Sequence, residues 1–468
     1  MTSRVIVVLT IASLLTGCNV GPKYNRPGVA VPPVYRADAS NPPGPQSLAD
    51  EKWFELFKDK ELQALIHAAF AGNFDLREAV ARELEARANY GIVRSNQFPT
   101  IVGSVDVNFQ RNSRDGAFTL PEPLKRDRVF SDVLLELLTF EVDVWGKLRN
   151  ATASARAEML ASDETRKAVI TTVVSDVATA YFTLRELDTE LDIAKRTLAS
   201  RQDSLRIVQA RFNRGVSNQL ELRQAEQLVY SAAETIPLDE KLIEQQENLI
   251  SFLIGKNPQP IPRGLSLMDQ PLAPAVPPGL PSALIQRRPD ILAAEQNLIS
   301  ANAQIGVARA AYFPQITLTG ALGFQSNQLE SLFSPSRNVW EFIPLATQPI
   351  FTAGRIKSNV RFTQAQKQFF VVDYEKTIEE AFREVSDALI AYQKTKEVRV
   401  QSELLVATLK DRTRLAYMRF YGGVSNLLEA LDADRDYFEA ELANAQVIRD
   451  ELLSVVQLYK ALGGGWQQ

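Results

Sequence analysis

The sequence predicts a membrane β-barrel that continues into a long α-helical barrel, with each chain supplying part of both walls. Three observations lead to this fold class: the chain contains an internal duplication, each copy carries two strand segments, and each copy carries very long helical segments without proline. The four strands of one chain cannot enclose a lumen, and a lipid bilayer does not tolerate unpaired strand edges. Several chains must therefore complete one barrel together.

The internal duplication is clearest at FNRGVSNQLE, which starts at Phe212 and returns as FYGGVSNLLE at Phe420, with seven of ten positions identical. Three further landmarks recur in the same order, as an internal repeat requires. We therefore predict one repeat at residues 60–255 and a second at 282–463. The proline-rich segment 256–281 between them cannot continue a helix or a central strand, so we predict an extended connector.

The N-terminal segment is typical of a secreted lipoprotein. An early positive charge and an apolar run predict a signal peptide over residues 1–17. The run ends in LTGC, which resembles a bacterial lipobox, so the sole cysteine, Cys18, is the predicted lipidation site. A plain signal peptide with an incidental cysteine is the alternative. Asn19, directly after the cysteine, favours the outer membrane over retention in the inner membrane. Residues 18–59 are predicted to form a lipidated tether, and residues 464–468 are predicted to form a short tail.

Four segments are predicted to be strands. Residues 100–110 and 316–325 alternate between apolar and polar side chains, and a second pair of strands is predicted at 129–144 and 339–351. At about ten residues or more, each is long enough to cross the apolar band of a tilted outer-membrane barrel. A soluble β-sandwich is the alternative, but it would need about seven strands.

Two helical segments are exceptionally long. No proline occurs between Gly146 and Phe212 or between Gly354 and Phe420. At 1.5 Å per residue, each segment predicts about 100 Å of continuous helix. In the first segment apolar side chains recur in steps of three and four, which indicates coiled-coil packing, and Arg201 interrupts this pattern. Shorter helices are predicted at 76–97, 219–254, 290–312 and 427–462.

The repeated turn is predicted to be the tip of a helical hairpin. A glycine just past each long helix provides the positive φ that ends a helix at low cost, and an asparagine followed by glutamate at the third position is typical of a helix N-cap. A well-capped turn explains this pattern by itself, and contact with a partner is the further interpretation. The tip residues are Gly215, Val216, Ser217, Asn218, Gly423, Val424, Ser425 and Asn426.

Several longer motifs resemble the TolC-like outer-membrane efflux proteins, most closely the lipoprotein (NodT-type) branch that serves resistance–nodulation–division efflux systems. They include GPKYNRP, PIFTAGR, RFYGGVSNLLEALDADRDYFEAE and the terminal LYKALGGGW. The resemblance implies a homotrimer with a twelve-stranded barrel, four strands from each chain, and a periplasmic α-barrel. It also implies docking to a periplasmic adaptor (membrane fusion) protein and an inner-membrane pump, with the tip residues contacting the adaptor.

The same resemblance identifies candidate gate residues. In that family, side chains just beyond the second tip close the periplasmic aperture at rest, and the matching positions here are Leu428, Asp432 and Arg435. Steps of four and three place these three aperture residues on one helix face, and three copies would form a carboxylate ring and an apolar constriction. A solvated face with an ordinary Asp/Arg pair is the alternative. Asp434 stands where the family often has glutamine, so it would either alter the closure or face water.

These features together predict a passive exit duct for small molecules such as drugs and toxic compounds, anchored in outer-membrane lipid and extending into the periplasm. With one histidine and one cysteine, the chain offers neither a His-based triad nor a Cys/His metal cluster, so we expect no enzymatic activity and no cofactor. A formal net charge of −4 gives no reason to expect nucleic acid as a partner. The alternatives are a duct for type I protein secretion and a periplasmic adaptor or scaffold lipoprotein with coiled-coil hairpins.

Overall fold

The computed structural model describes residues 18–36, 47–113, 126–271 and 277–466, so the predicted signal peptide, residues 1–17, lies outside the described residues. The chain forms two compact units. The first unit contains the described parts of Met1–Gly28, Glu83–Ala161 and Ala294–Tyr374, and the second those of Val29–Arg82, Ser162–Ala293 and Glu375–Gln468. Within the described ranges, no helix is both long enough and apolar enough to cross a membrane.

The first unit contains a sheet of four antiparallel strands that neighbour one another in chain order. The strands are β1 (Ile101–Arg111), β2 (Asp127–Glu141), β3 (Gln315–Ser326) and β4 (Asn338–Thr347). Each lies within a few residues of a predicted segment, so the prediction of two strands in each repeat is confirmed. The outer edges of β1 and β4 have no partner strand in the described part of the chain.

The register of the sheet gives it one apolar face. Val105 on β1 lies opposite Val133 on β2, which lies opposite Phe324 on β3, and Leu322 on β3 lies opposite Trp340 on β4. Directly opposed residues point to the same side of a sheet, so these apolar residues of the four strands share one face. The other face is mixed: it carries Asp106 opposite Asp132 and Asp132 opposite Gln325, but also apolar side chains such as Phe130 and Ile343.

Helices make up most of the remaining structure. They are α1 (Trp53–Leu56), α2 (Lys60–Gly72), α3 (Phe74–Ser95), α4 (Lys147–Asn213), α5 (Gln219–Leu253), α6 (Pro281–Arg287), α7 (Pro289–Ala310), α8 (Arg355–Tyr421) and α9 (Leu427–Ala461). Short 3-10 helices occur at Leu48–Asp50, Leu267–Asp269, Leu329–Ser331 and Pro335–Arg337.

The helix lengths reproduce the duplication. The two long helices, α4 and α8, both contain 67 residues, and the returning helices, α5 and α9, both contain 35. Their bounds agree with the predicted helical segments to within about two residues. Helix α5 runs continuously through Pro237.

The last part of the predicted tether, residues 18–59, contains two short helices. Ser47 caps the first short 3-10 helix, and α1 follows it directly. Leu48 and Trp53 are each 1% exposed, because both side chains pack into the second unit. Burial of these two apolar side chains favours a fixed position for this stretch.

Asp59 ties this folded end to the proline-rich connector. Its buried carboxylate accepts hydrogen bonds from Glu61 N at the start of α2 (2.9 Å) and from the Tyr181 hydroxyl on α4 (2.8 Å). It also accepts from Leu265 N (2.9 Å) and Gln270 Nε2 (2.8 Å), both in the connector. The described part of the connector is therefore held against the helices of the second unit.

Candidate functional site

Both hairpin tips have the same backbone geometry. In the first tip Gly215 N donates to Phe212 O and Val216 N donates to Arg211 O, both at 2.9 Å, which is the hydrogen-bond pattern of a Schellman motif. The second tip repeats the pattern around Gly423, with both bonds at 3.0 Å. The two glycines have φ of +73° and +74°, a conformation that other residues adopt only with strain. The predicted role of glycine in these turns is confirmed.

Each returning helix begins at a side-chain cap. Asn218 Oδ1 accepts a hydrogen bond from Glu221 N at 2.9 Å, and Asn426 Oδ1 accepts one from Glu429 N at 3.1 Å. Both predicted N-caps are thus confirmed. In the first tip the Ser217 hydroxyl also donates to the Glu221 carboxylate, which fixes the turn further.

The tips expose apolar side chains. Val216 is 65% exposed and Val424 is 71% exposed. A Cβ at Gly215 or Gly423 would meet nothing within 4 Å. The Ser425 hydroxyl oxygen is buried and has no hydrogen-bond partner among the described residues. Each tip therefore presents one largely exposed apolar side chain.

A shared apolar core supports both tips. It joins residues of α4, α5, α8 and α9, so neither hairpin stands alone. The buried members are Val208, Leu222, Ala225, Ala416, Phe420, Leu427, Ala430, Leu431 and Ala433. The position of each tip therefore depends on the packing of all four helices.

The three aperture residues lie on the exposed side of α9. Leu428 is 47% exposed, and the Asp432 and Arg435 side chains are 44% and 52% exposed. Arg435 Nη1 lies 3.5 Å from Asp432 Oδ1, and its Nη2 donates to Asp436 Oδ1 at 3.0 Å. One copy thus presents these side chains together on one helix face, which both the pore-lining and the solvated-face interpretations require.

Asp434 does not face water. It is 7% exposed, and its Oδ2 accepts a hydrogen bond from Arg201 Nε at 2.6 Å. The alternative that Asp434 is a solvated acid is therefore wrong, because α9 turns this position into the four-helix packing. In the sequence, Arg201 interrupts the apolar pattern of α4. The structure explains this interruption, because the buried Arg201 side chain pairs with Asp434.

A second buried polar cluster was missed by the sequence analysis. Glu186 on α4 lies 3.2 Å from the Arg449 guanidinium on α9, and Gln446 donates to Glu190 at 2.9 Å. Burial, reinforced by the Glu190 carboxylate, raises the pKa of Glu186 to about 7. Burial and Glu190 likewise raise the pKa of Asp239 to about 6. Glu186 on α4 and Asp239 on α5, both in the second unit, are therefore protonated more readily than ordinary carboxyl groups.

We expect Glu186→Gln to change the pH dependence of stability. The folded-state pKa lies above the ordinary value of 4.5, so protonated Glu186 stabilises the fold below that value, and this contribution is lost as pH rises through about 7. The variant does not ionise, so its melting temperature relative to the wild type should be higher at about pH 8 than at about pH 5. Glu244→Gln, on the exposed side of α5, is the control. A difference that stays constant with pH would contradict the assignment.

The predicted lipidation site, Cys18, is exposed at the start of the described chain. The residues after it are held in the first unit, beside the N-terminus of α4. Val20 N donates to Trp145 O at 3.3 Å, and Asn150 Nδ2 donates to Asn19 Oδ1 at 2.7 Å. Cys18 therefore has a fixed place near the junction between β2 and α4. Among the described residues, no group of three or more His, Cys, Asp or Glu side chains is arranged to hold a metal ion.

Comparison with known sequences gives matches along nearly the entire chain. A family model described as "Outer membrane efflux protein" matches residues 65–256 and 280–464. The chain is 37% identical over 462 residues to the solvent efflux pump outer membrane protein SrpC of Pseudomonas putida, covering 97% of this chain and 96% of that protein. It is 34% identical over 463 residues to the cation efflux system protein CusC of Escherichia coli O6:H1, with 98% of each chain covered.

Comparison with solved structures gives matches of the same extent. A membrane protein from Pseudomonas aeruginosa superposes with a TM-score of 0.89 at 33% identity, covering 96% of this chain and 98% of that one. The open state of the MtrE outer membrane channel of Neisseria gonorrhoeae superposes with a TM-score of 0.87 at 33% identity, covering 96% and 99%.

Proposed function

Because this chain belongs to the outer membrane efflux protein family, as its motifs predict, we propose that it is the outer-membrane channel of a tripartite efflux pump and a passive exit duct for small molecules. The TolC-like fold class is confirmed by the similarity of almost the whole chain to solved outer-membrane channels. The observation that carries the proposal is the sheet, which has one largely apolar face suited to lipid and an opposite face that carries the acidic and amide side chains.

The channel is proposed to be a homotrimer. The unpaired edges of β1 and β4 in one chain call for strands from neighbouring chains, since backbone groups in lipid need partners. In an antiparallel sheet of four strands, β4 of one copy and β1 of the next run in opposite directions, so three copies close a twelve-stranded antiparallel barrel. The largely apolar face then surrounds the barrel and the opposite face lines the lumen.

The mature protein is proposed to be anchored by lipid at Cys18. Support comes from the lipobox-like sequence and from the contacts of Val20 and Asn19, which hold the chain next to the end of β2. Acyl chains contribute about 0.8 kcal/mol of membrane affinity for each buried methylene, so they would add to the affinity of the barrel itself.

The repeats proposed at 60–255 and 282–463 are close to the two segments that the family model matches.

The aperture residues are proposed to narrow the periplasmic end of the trimer, and the tip residues to contact a periplasmic adaptor that links the channel to an inner-membrane resistance–nodulation–division pump. The exposed valines of both tips support an apolar contact with the adaptor. Energy is proposed to come from the pump, with the channel having no enzymatic activity. Relatives are named for the efflux of solvents and of cations, which supports a general class of small exported molecules.

We predict that Gly423→Val weakens adaptor binding while trimers persist. Valine is strained at the positive φ of this turn, by about 1–2 kcal/mol, so the tip should shift. Site-directed crosslinking to a co-expressed adaptor measures the effect. Gly423→Asn is the matched control, because asparagine tolerates this conformation. If the valine variant crosslinks to the adaptor as well as the wild type does, the proposed adaptor contact is contradicted and the tip has only a structural role.

Single-channel recording tests the proposed function directly. The purified protein in planar bilayers should give discrete current steps, and outer-membrane fractions should contain trimers that dissociate on heating. A periplasmic scaffold or adaptor would give no current, so a folded trimer without conductance would overturn the proposal. Loss of small-molecule efflux on gene deletion, with protein secretion unaffected, would separate efflux from type I secretion.

A further inference from the structure

A buried ion pair joins the two hairpins close to the proposed aperture. Arg201 Nε on α4 donates to Asp434 Oδ2 on α9 at 2.6 Å, and the two side chains are 3% and 9% exposed. Arg201 Nη1 also donates to Leu228 O on α5 at 3.1 Å, and the guanidinium lies 4.8 Å from the centroid of the Phe438 ring on α9. Three helices therefore meet at one side chain.

The fourth helix of the two hairpins binds the same turn of α9. The Thr413 hydroxyl on α8 donates to Ala433 O at 2.8 Å, at the residue that precedes Asp434. One turn of α9 is thus bound by α4 and α8, and the Arg201 side chain of α4 is held in turn by α5. This turn of α9 contains two of the three aperture residues.

The burial of Asp434 determines which side of α9 stays outside the packing. At 3.6 residues per turn, Asp434 points roughly 200° away from Asp432 and roughly 100° away from Arg435. Asp434 is buried, whereas the other two side chains are about half exposed. The rotation of α9 that inserts Asp434 is therefore the rotation that exposes the aperture residues.

We propose that Arg201 and Asp434 are positioning residues of the aperture: their bond fixes the rotation of α9 about its own axis and keeps the aperture residues on the pore side. A guanidinium forms directional bonds to a carboxylate, so this pair restricts the rotation of α9 beyond what the apolar packing around it does. Arg201 Nη2 is buried without a hydrogen-bond partner among the described residues. The buried positive charge of Arg201 is therefore compensated mainly by the Asp434 carboxylate. The inference rests on the proposed role of the aperture residues.

The double variant Arg201→Met/Asp434→Leu tests the inference. Apolar replacement of a buried ion pair often leaves a protein as stable as before, so trimers with at least the wild-type melting temperature are expected. The helices then pack without a directional bond, and the mean single-channel conductance should rise several-fold. Wild-type conductance in stable trimers would overturn the inference, since the pair would then contribute packing alone.

A second ion pair provides a matched control. Arg399 Nη1 on α8 lies 2.8 Å from Glu451 Oε2 on α9, and the Glu451 side chain is 4% exposed. Glu451 lies about 25 Å further along α9 than Asp434. The variant Arg399→Met/Glu451→Leu should conduct like the wild type. Conductance raised equally by both double variants would indicate a general loosening of the helices and would also overturn the inference.

A labelling experiment separates this inference from the proposed aperture role. Asp432→Cys is introduced with and without Arg201→Met/Asp434→Leu, and the rate of reaction with a charged thiol reagent is measured on the trimer. A several-fold change in rate is expected if the pair fixes the rotation of α9, and an unchanged rate would contradict it. If Asp432→Ala leaves the conductance unchanged while the labelling rate still responds, the aperture role fails and the positioning of α9 stands.

Discussion

Asp432→Ala should raise the mean single-channel conductance several-fold. In one copy the Asp432 carboxylate projects from the exposed face of α9 and lies 3.5 Å from Arg435. In a closed trimer, three such carboxylates and three guanidinium groups would surround the axis, and each Arg435 would be held by acids on more than one side. Removal of the carboxylate leaves each Arg435 with only Asp436 of its two acids in the same copy, so the guanidinium groups repel one another more strongly. The closed arrangement is then weakened and the aperture widens.

Asp411→Ala is the control for this measurement. Asp411 on α8 pairs with Arg414 three residues later, at 2.7 Å, and both side chains are more than half exposed. The variant removes an acid from the same kind of exposed pair, which is worth little to stability. It should conduct like the wild type. If Asp432→Ala conducts like the wild type, the proposed role of Asp432 in closing the aperture is contradicted.

Asp59→Ala should lower the free energy of unfolding by about 3–5 kcal/mol, because one buried carboxylate satisfies several hydrogen-bond donors at once. Asp59 is 1% exposed, and its carboxylate accepts hydrogen bonds from Tyr181, Leu265 and Gln270 at 2.8–2.9 Å. Without it, these buried donors lose their acceptor, and each unsatisfied group costs about 1–3 kcal/mol. Urea unfolding of the detergent-solubilised protein, monitored by tryptophan fluorescence, measures the change.

The pH dependence gives a second check on Asp59. Burial alone would raise the pKa of its carboxyl, but the hydrogen bonds from Gln270, Tyr181 and two backbone N–H groups lower it below the ordinary value of 3.8. The resulting stabilisation is complete above that value and is lost as pH falls through the folded-state pKa. Asp59→Ala should therefore lose this acid-dependent component, whereas Asp269→Ala, at an exposed position in the connector, should keep it. Equal effects of the two variants would contradict the role of Asp59.

The elements with a strong local pattern could be predicted from the sequence. Strand β3 begins at Gln315 beside the predicted start at 316, and α9 covers Leu427–Ala461 where 427–462 was predicted. Alternation of side chains and the absence of proline determine these bounds within each segment. The repeated turn could also be predicted from the sequence, because glycine and asparagine have specific backbone roles at fixed spacing.

Contacts between distant segments could not be predicted in the same way. Asp59 binds Tyr181 and Gln270, which are 122 and 211 residues away in the sequence, and Arg201 binds a carboxylate 233 residues away. Local spacing contains no information on such pairs. A charged residue at an apolar position of α4 signalled that Arg201 needed a partner, but only the packing of α9 identifies Asp434.

The open edges of the sheet have a genetic consequence. In the proposed homotrimer, a subunit with a damaged β1 or β4 would assemble with intact subunits and disrupt the barrel that they form together. Alleles of this kind should be dominant over the intact gene, whereas a simple deletion should be recessive.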